Sequence, residues 1–89
     1  MKYTCPCCGY KTLKKKPPGT FELCIICFWE DDKVQFNNPD FKGGSNEVSL
    51  REAQKNFLVF GASRKRFLNY VKKPSKNDIK DPEWKFLDS

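Results

Sequence analysis

The 89-residue chain contains no histidine. Histidine is the usual proton shuttle near neutral pH, so its absence removes Ser-His-Asp and Cys-His nucleophile pairs, together with every metal site that mixes imidazole with thiolate. Long hydrophobic runs are missing as well. No stretch reaches the ~18 apolar residues of a membrane span, and the lysine-dotted start lacks the hydrophobic segment of a secretory signal. These absences predict a soluble, cytoplasmic protein whose thiols stay reduced. Size sets a further limit: a chain this short reads as one domain over 1–89, with no room for a large concave pocket. No enzyme activity and no small-molecule substrate is expected.

What the chain has instead is cysteine, five in all. Cys5/Cys8 and Cys24/Cys27 form a C-x2-C-x15-C-x2-C arrangement, the spacing of a four-thiolate tetrahedral metal site. In Cys5-Pro6-Cys7-Cys8-Gly9, Pro6 pre-sets the backbone and Gly9 permits the positive φ that turns amides toward ligand sulfurs. Cys24-Ile25-Ile26-Cys27-Phe28 is the opposing knuckle. Disulfides or plain buried thiols are the competing readings; adjacent Cys7 and Cys8, and an odd fifth cysteine, suit an oxidised framework poorly. Four sulfur ligands close the coordination sphere, so the metal is expected to be structural, one zinc per chain. Iron in a rubredoxin-like site would use the same spacing and is the second choice. Cys7 is a spare thiol, since its neighbour Cys8 already faces the metal. A bound zinc contributes on the order of 10 kcal/mol, comparable with the whole stability of a small domain, so metal binding and folding should be one equilibrium.

Charge is unevenly placed. The formal net charge is +6, yet residues 1–21 hold five lysines and no acid, residues 22–47 hold six acids against two lysines, and residues 48–89 hold ten bases against five acids. That pattern describes an electrostatically two-sided molecule rather than a uniformly basic one.

The coarse architecture reads as small α+β: a zinc ribbon over 1–36, a turn-rich joint over 37–48, and a helical part over 49–89. Tyr10–Leu13 and Thr20–Leu23 read as two short strands joined by a tip carrying Lys14-Lys15-Lys16 and Pro17-Pro18-Gly19, with the metal clamping the open end of the hairpin. Val34–Phe36 is a possible third strand. Ser49 followed by Glu52 forms a capping box, Leu50, Ala53, Phe57 and Phe60 recur at helical spacing, and Gly61 supplies a stop. A second, shorter helical turn or helix carries Phe67, Leu68, Tyr70 and Val71. These apolar faces are expected to pack on Phe21, Leu23, Phe28 and Trp29 of the ribbon. Ser75 with Asp78 could begin another turn, and Asp81-Pro82-Glu83-Trp84 reads as a capped helix start with Trp84 anchoring the end of the chain.

Taken together, these segments resemble the bacterial cysteine-rich CPCC family. The resemblance is carried by Cys5-Pro6-Cys7-Cys8-Gly9-Tyr10, Pro17-Pro18-Gly19-Thr20-Phe21-Glu22, Cys24 to Cys27 with Phe28-Trp29-Glu30-Asp31-Asp32, Ser49-Leu50 to Glu52-Ala53-Gln54 with Asn56-Phe57, Phe60-Gly61-Ala62, and Asp81-Pro82 with Trp84. It implies a small zinc-binding protein and carries no activity with it.

Two functions remain open at this level. The first is a non-catalytic interaction module that binds another protein, with Trp29-Glu30-Asp31-Asp32 beside the metal and the basic helical face as contacts. The second is nucleic-acid binding, with Lys14, Lys15 and Lys16, then Arg64, Lys65 and Arg66, then Lys72 and Lys73, as phosphate contacts. Shared placement of those basic clusters on one face would favour the second reading, and acids dividing them would favour the first.

Overall fold

A computed structural model describes residues 2–87. Its only regular sheet among those residues is a two-stranded antiparallel hairpin, Tyr3–Thr4 (β1) with Lys11–Leu13 (β2), in which Tyr3 stands opposite Leu13 and Thr4 opposite Lys11 with an irregularity between. The loop of this hairpin is the first cysteine knuckle. The expected pairing of Tyr10–Leu13 with Thr20–Leu23 therefore needs correction: β2 pairs with β1 instead. Thr20–Leu23 cannot run as a regular strand because Phe21 sits at φ 59°, which interrupts an extended path. That segment instead folds around the second knuckle. The Phe21 amide donates to the Asp31 carbonyl (2.9 Å), the Asp31 amide to the Glu22 carbonyl (2.9 Å), and Leu23 bridges Glu30.

The expected third strand is a helix. Lys33–Asn37 (α1) starts at Asp32, whose Oδ1 accepts from the Gln35 amide at 3.0 Å. The alternating Val34 and Phe36 imitate a strand, but both side chains are exposed, and Gln35 between them is fully buried. Gln35 organises the 38–48 loop from within: its Nε2 donates to the carbonyls of Phe41, Asn46 and Val48, and its Oε1 accepts from the amide and side chain of Asn46. Asn46 in turn pairs with both backbone groups of Glu30, as a neighbouring strand would. A buried amide is tolerated here because every polar atom has a partner.

Leu50–Phe60 (α2) has the expected caps. Ser49 Oγ accepts from the Glu52 amide at 3.1 Å, and Gly61 closes the helix at φ 91° with its amide on the Phe57 carbonyl. The buried stripe is Leu50, Ala53 and Gln54, with Phe57 half-buried; Phe60 lies outside it. Beyond Gly61, among the described residues, the expected second element is a single 3-10 turn at Lys65–Phe67 and not a full helix. This stretch serves as a brace: the Ser63 amide donates to the Cys27 carbonyl (2.7 Å) and the Lys72 amide to the Ile25 carbonyl (2.8 Å). No helix start appears at Asp81 either; its carboxylate holds the Glu83 amide in a turn. Trp84 does anchor the segment, donating Nε1 to the Pro6 carbonyl at 2.9 Å.

The core is built on sulfur. All five cysteines, Leu13, Ile26, Trp29, Leu50 and Ala53 make one buried cluster, with Tyr10, Val48 and Phe57 against it. Of the aromatic packing expected from the sequence, Trp29 is central, whereas Phe21 (63% exposed) and Tyr70 (69% exposed) face solvent. Phe28 contacts Phe67 and Tyr70 at ring-centroid distances of 5.5 and 6.1 Å, forming a small satellite outside the core. Among the described residues, no helix is long and apolar enough to cross a membrane.

Candidate metal centre

The two knuckles are structural copies. In the first, the Gly9 amide donates to the Cys5 carbonyl (2.9 Å) and the Cys5 amide to the Tyr10 carbonyl (2.9 Å). In the second, the Phe28 amide donates to the Cys24 carbonyl (2.8 Å) and the Cys24 amide to the Trp29 carbonyl (3.0 Å). Both turns need a left-handed residue after the second cysteine, Gly9 at φ 81° and Phe28 at φ 67°. Glycine meets that demand without strain, and it is needed twice over at position 9, where a Cβ would stand 2.7 Å from Trp84 Cδ2. Phe28 bears the strain of order 1–2 kcal/mol that a side chain incurs in this region. Its ring contacts with Phe67 and Tyr70 act in the opposite direction.

Together the knuckles bring Cys5, Cys8, Cys24 and Cys27 together, with all four sulfurs within 4.8 Å of one another and each residue fully buried. Cys5 and Cys27 sulfurs are 3.6 Å apart, and those of Cys8 and Cys24 are 3.7 Å apart. A disulfide requires about 2.05 Å, whereas four thiolates bound tetrahedrally at about 2.3 Å are about 3.8 Å apart. The separations match the tetrahedron. All five cysteines are free thiols. These four residues could hold a metal ion, as the spacing predicts.

Two further groups aim at the sulfurs. Thr12 Oγ1 donates to Cys24 Sγ at 3.0 Å, and the Trp29 amide donates to Cys27 Sγ at 3.4 Å. Such bonds orient ligands and favour the thiolate. Burial pushes the Cys5 and Cys27 thiols up, and hydrogen bonding to Cys24 pushes Cys8 up. Cys24 is pulled down, because Cys27, Cys5, Cys8 and Thr12 all donate to it. Four thiolates at this spacing call for a cation.

Thr12 was not legible as part of the site, because no spacing rule links a β-strand hydroxyl to a sulfur on another knuckle. Cys7 is buried in the same core, and its sulfur is not among the four.

The expected recognition surface beside the metal is largely interior. Trp29 and Asp31 are each 1% exposed, and Asp32 is 7% exposed. Asp31 Oδ2 accepts from the amide and hydroxyl of Thr20 (2.9 and 2.8 Å), and Asp32 caps α1 and holds the Ser45 amide at 2.9 Å. Backbone donors claim these carboxylates, so they fold inward. Only Glu30 of the four is half-exposed. Lys14, Lys15 and Lys16 are exposed on the tip, whose Lys14 and Lys15 amides donate to the Glu22 carboxylate. Arg64 and Arg66 converge on a single oxygen of Glu47, at 2.5 and 2.7 Å, and the Lys65 ammonium lies 5.9 Å from the Phe60 ring centroid. Lys72 pairs with Asp78.

With this geometry in hand, comparison with known families is decisive: the sequence pattern of the family described as cysteine-rich CPCC matches residues 3–78. The chain belongs to the cysteine-rich CPCC family. Both knuckles, α1 and α2 of this CPCC protein lie inside the match, while Asp81, Pro82 and Trp84 lie beyond it. None of the curated proteins compared with the chain matches it.

Proposed function

We propose that this chain is a non-catalytic, zinc-stabilised interaction module of zinc-ribbon type that works in the cytoplasm by binding a protein partner. The observation that carries the reading is the sulfur cluster: four fully buried sulfurs at tetrahedral spacing leave no side for water or substrate to approach. Zinc is the ion proposed, since a closed four-thiolate sphere suits a metal that holds a fold together. The surface supports a protein partner over nucleic acid. Lys72 meets Asp78 and Arg51 meets Asp40, so phosphate at these cations would have to break existing ion pairs. Large apolar side chains also face solvent, notably Leu58 (63%) and Val59 (75%) side by side on α2.

An affinity pull-down from the native host, with and without nuclease, tests the proposal; a partner retained after nuclease supports it. The competing nucleic-acid reading is tested by fluorescence anisotropy with labelled DNA and RNA across a salt series. Contact with four phosphates gives log K a slope of roughly −3 to −4 against log[salt]. Sub-micromolar binding near physiological salt, weakened when Lys15 and Lys65 are both changed to Glu, would overturn the protein-partner reading.

A further inference from the structure

The pair of arginines on one carboxylate oxygen borders a cleft of about 100 Å³ between the second knuckle, the 45–48 loop and the turn after Gly61. One side of it is apolar, formed by Leu23, Phe28, Val48 and Phe67. The other side carries Arg64, Arg66 and Glu47. Arg64 is the fixed member, with its side chain 27% exposed, whereas Glu47 is a loop residue with its side chain 63% exposed. Two guanidiniums offer ten N–H donors between them, yet both converge on Glu47 Oε1. A carboxylate on an exposed loop side chain that sits between two arginines beside an apolar wall has the chemistry of an internal stand-in for a ligand.

We infer that this cleft takes the C-terminal carboxylate of a partner protein ending in an aliphatic residue, with the carboxylate exchanging for Glu47 on Arg64 and Arg66 and the side chain lying against Leu23, Phe28, Val48 and Phe67. This rests on the protein-binding reading above and names the chemistry of its partner. A chain end fits because it presents side chain and carboxylate from the same Cα, and the cleft has both surfaces within one small volume. A cleft of about 100 Å³ with an apolar wall has room for one small apolar side chain, such as a branched aliphatic group. Glu30 also borders the cleft, and its charge disfavours adding an anion on top of Glu47. Binding therefore proceeds by exchange, and removing the Glu47 charge should strengthen it.

The test uses the metal-loaded full chain and amide NMR titration with three probes: N-acetyl-leucine, N-acetyl-leucine amide, and the side-chain acid N-acetyl-glutamate amide. N-acetyl-leucine should bind in the millimolar range expected for its size and move the signals of Val48, Ser63 and Arg64. Both amides should bind about tenfold more weakly or not at all, for want of the charge-assisted bonds at that position. Glu47→Gln should tighten N-acetyl-leucine about tenfold, and Arg66→Gln should weaken it by a similar factor. Unchanged metal content and circular dichroism show that each variant is folded, and Arg66 is exposed enough to be replaced safely. Equal binding of N-acetyl-leucine and its amide, equal binding of the side-chain acid, or no gain from Glu47→Gln would each overturn the assignment. A positive nuclease-resistant pull-down with any of those outcomes would leave the protein-partner reading standing and remove only the cleft.

Discussion

Replacing Thr12 by Val removes one hydrogen bond and almost no volume, so it isolates the contribution of the hydroxyl that points at Cys24 Sγ. The 3.0 Å O–H to sulfur contact is charge-assisted once Cys24 is a thiolate, and bonds to charged groups contribute about 1.5–3 kcal/mol. Thr12 is only half-buried, which places its value toward the lower end. Outer-shell partners of metal ligands independently show losses of about 10–100-fold in affinity, equivalent to about 1.4–2.8 kcal/mol. The two scales agree on roughly ten- to thirtyfold weaker zinc binding in Thr12→Val. Competition against a chromophoric chelator at neutral pH measures this directly, and Thr12→Ser, which keeps the hydroxyl, should return most of the loss. Zinc affinity within twofold of the natural protein in Thr12→Val, or a Ser variant as weak as Val, would refute the argument.

Other consequences follow from the knuckles and the loop they support. Gly9→Ala should destabilise the protein by about 2–4 kcal/mol, combining left-handed strain with a clash against Trp84, whereas Gly43→Ala, at φ 83° in open space, should cost only about 1 kcal/mol; thermal melts of the two variants check the difference. Asp32→Asn should cost about 1–2 kcal/mol, because the amide oxygen can still cap α1 while its NH2 group, a donor, replaces the oxygen that accepts from the Ser45 amide. Burial raises the pKa of Asp32 but the amides of Gln35 and Ser45 outweigh it and leave the folded value below the unfolded one of about 3.9. Its contribution is thus whole above that value and fades only as pH falls through the folded pKa, so the Asn deficit in a melt should be constant between about pH 6 and 8. Strong chelator should abolish the cooperative melt of the natural protein, and an undiminished transition would show that the aromatic core folds alone.

The readable parts of the sequence were those in which one local rule decides the outcome. Cysteine spacing fixes which four sulfurs come together, Ser49 and Gly61 bound α2 through their own backbone geometry, and Trp84 reaches Pro6 as an anchor. The unreadable parts depend on partners distant along the chain. β1 is two residues long and exists only because the first knuckle folds it back onto β2. α1 carries a strand-like alternation of exposed Val34 and Phe36, and what decides for a helix is Asp32 capping it and Gln35 binding a loop up to thirteen residues away. The acids of the middle block read as a charged flank, yet most are drawn inward or paired: Glu22 to two amides, Asp31 to Thr20, Asp32 to α1, Asp40 to Arg51, and Glu47 to two arginines. Charge counting along a chain cannot see such uses, because backbone donors do not appear in it.

Native mass spectrometry of the natural protein beside Cys7→Ser and Cys24→Ser bears most directly on the central claim, that Cys5, Cys8, Cys24 and Cys27 hold one structural zinc. One zinc ion should be found on the natural chain and on Cys7→Ser, with Cys24→Ser carrying none and showing the broad, highly charged envelope of an unfolded chain. Loss of metal from Cys7→Ser as complete as from Cys24→Ser, or a folded natural chain without metal, would contradict it.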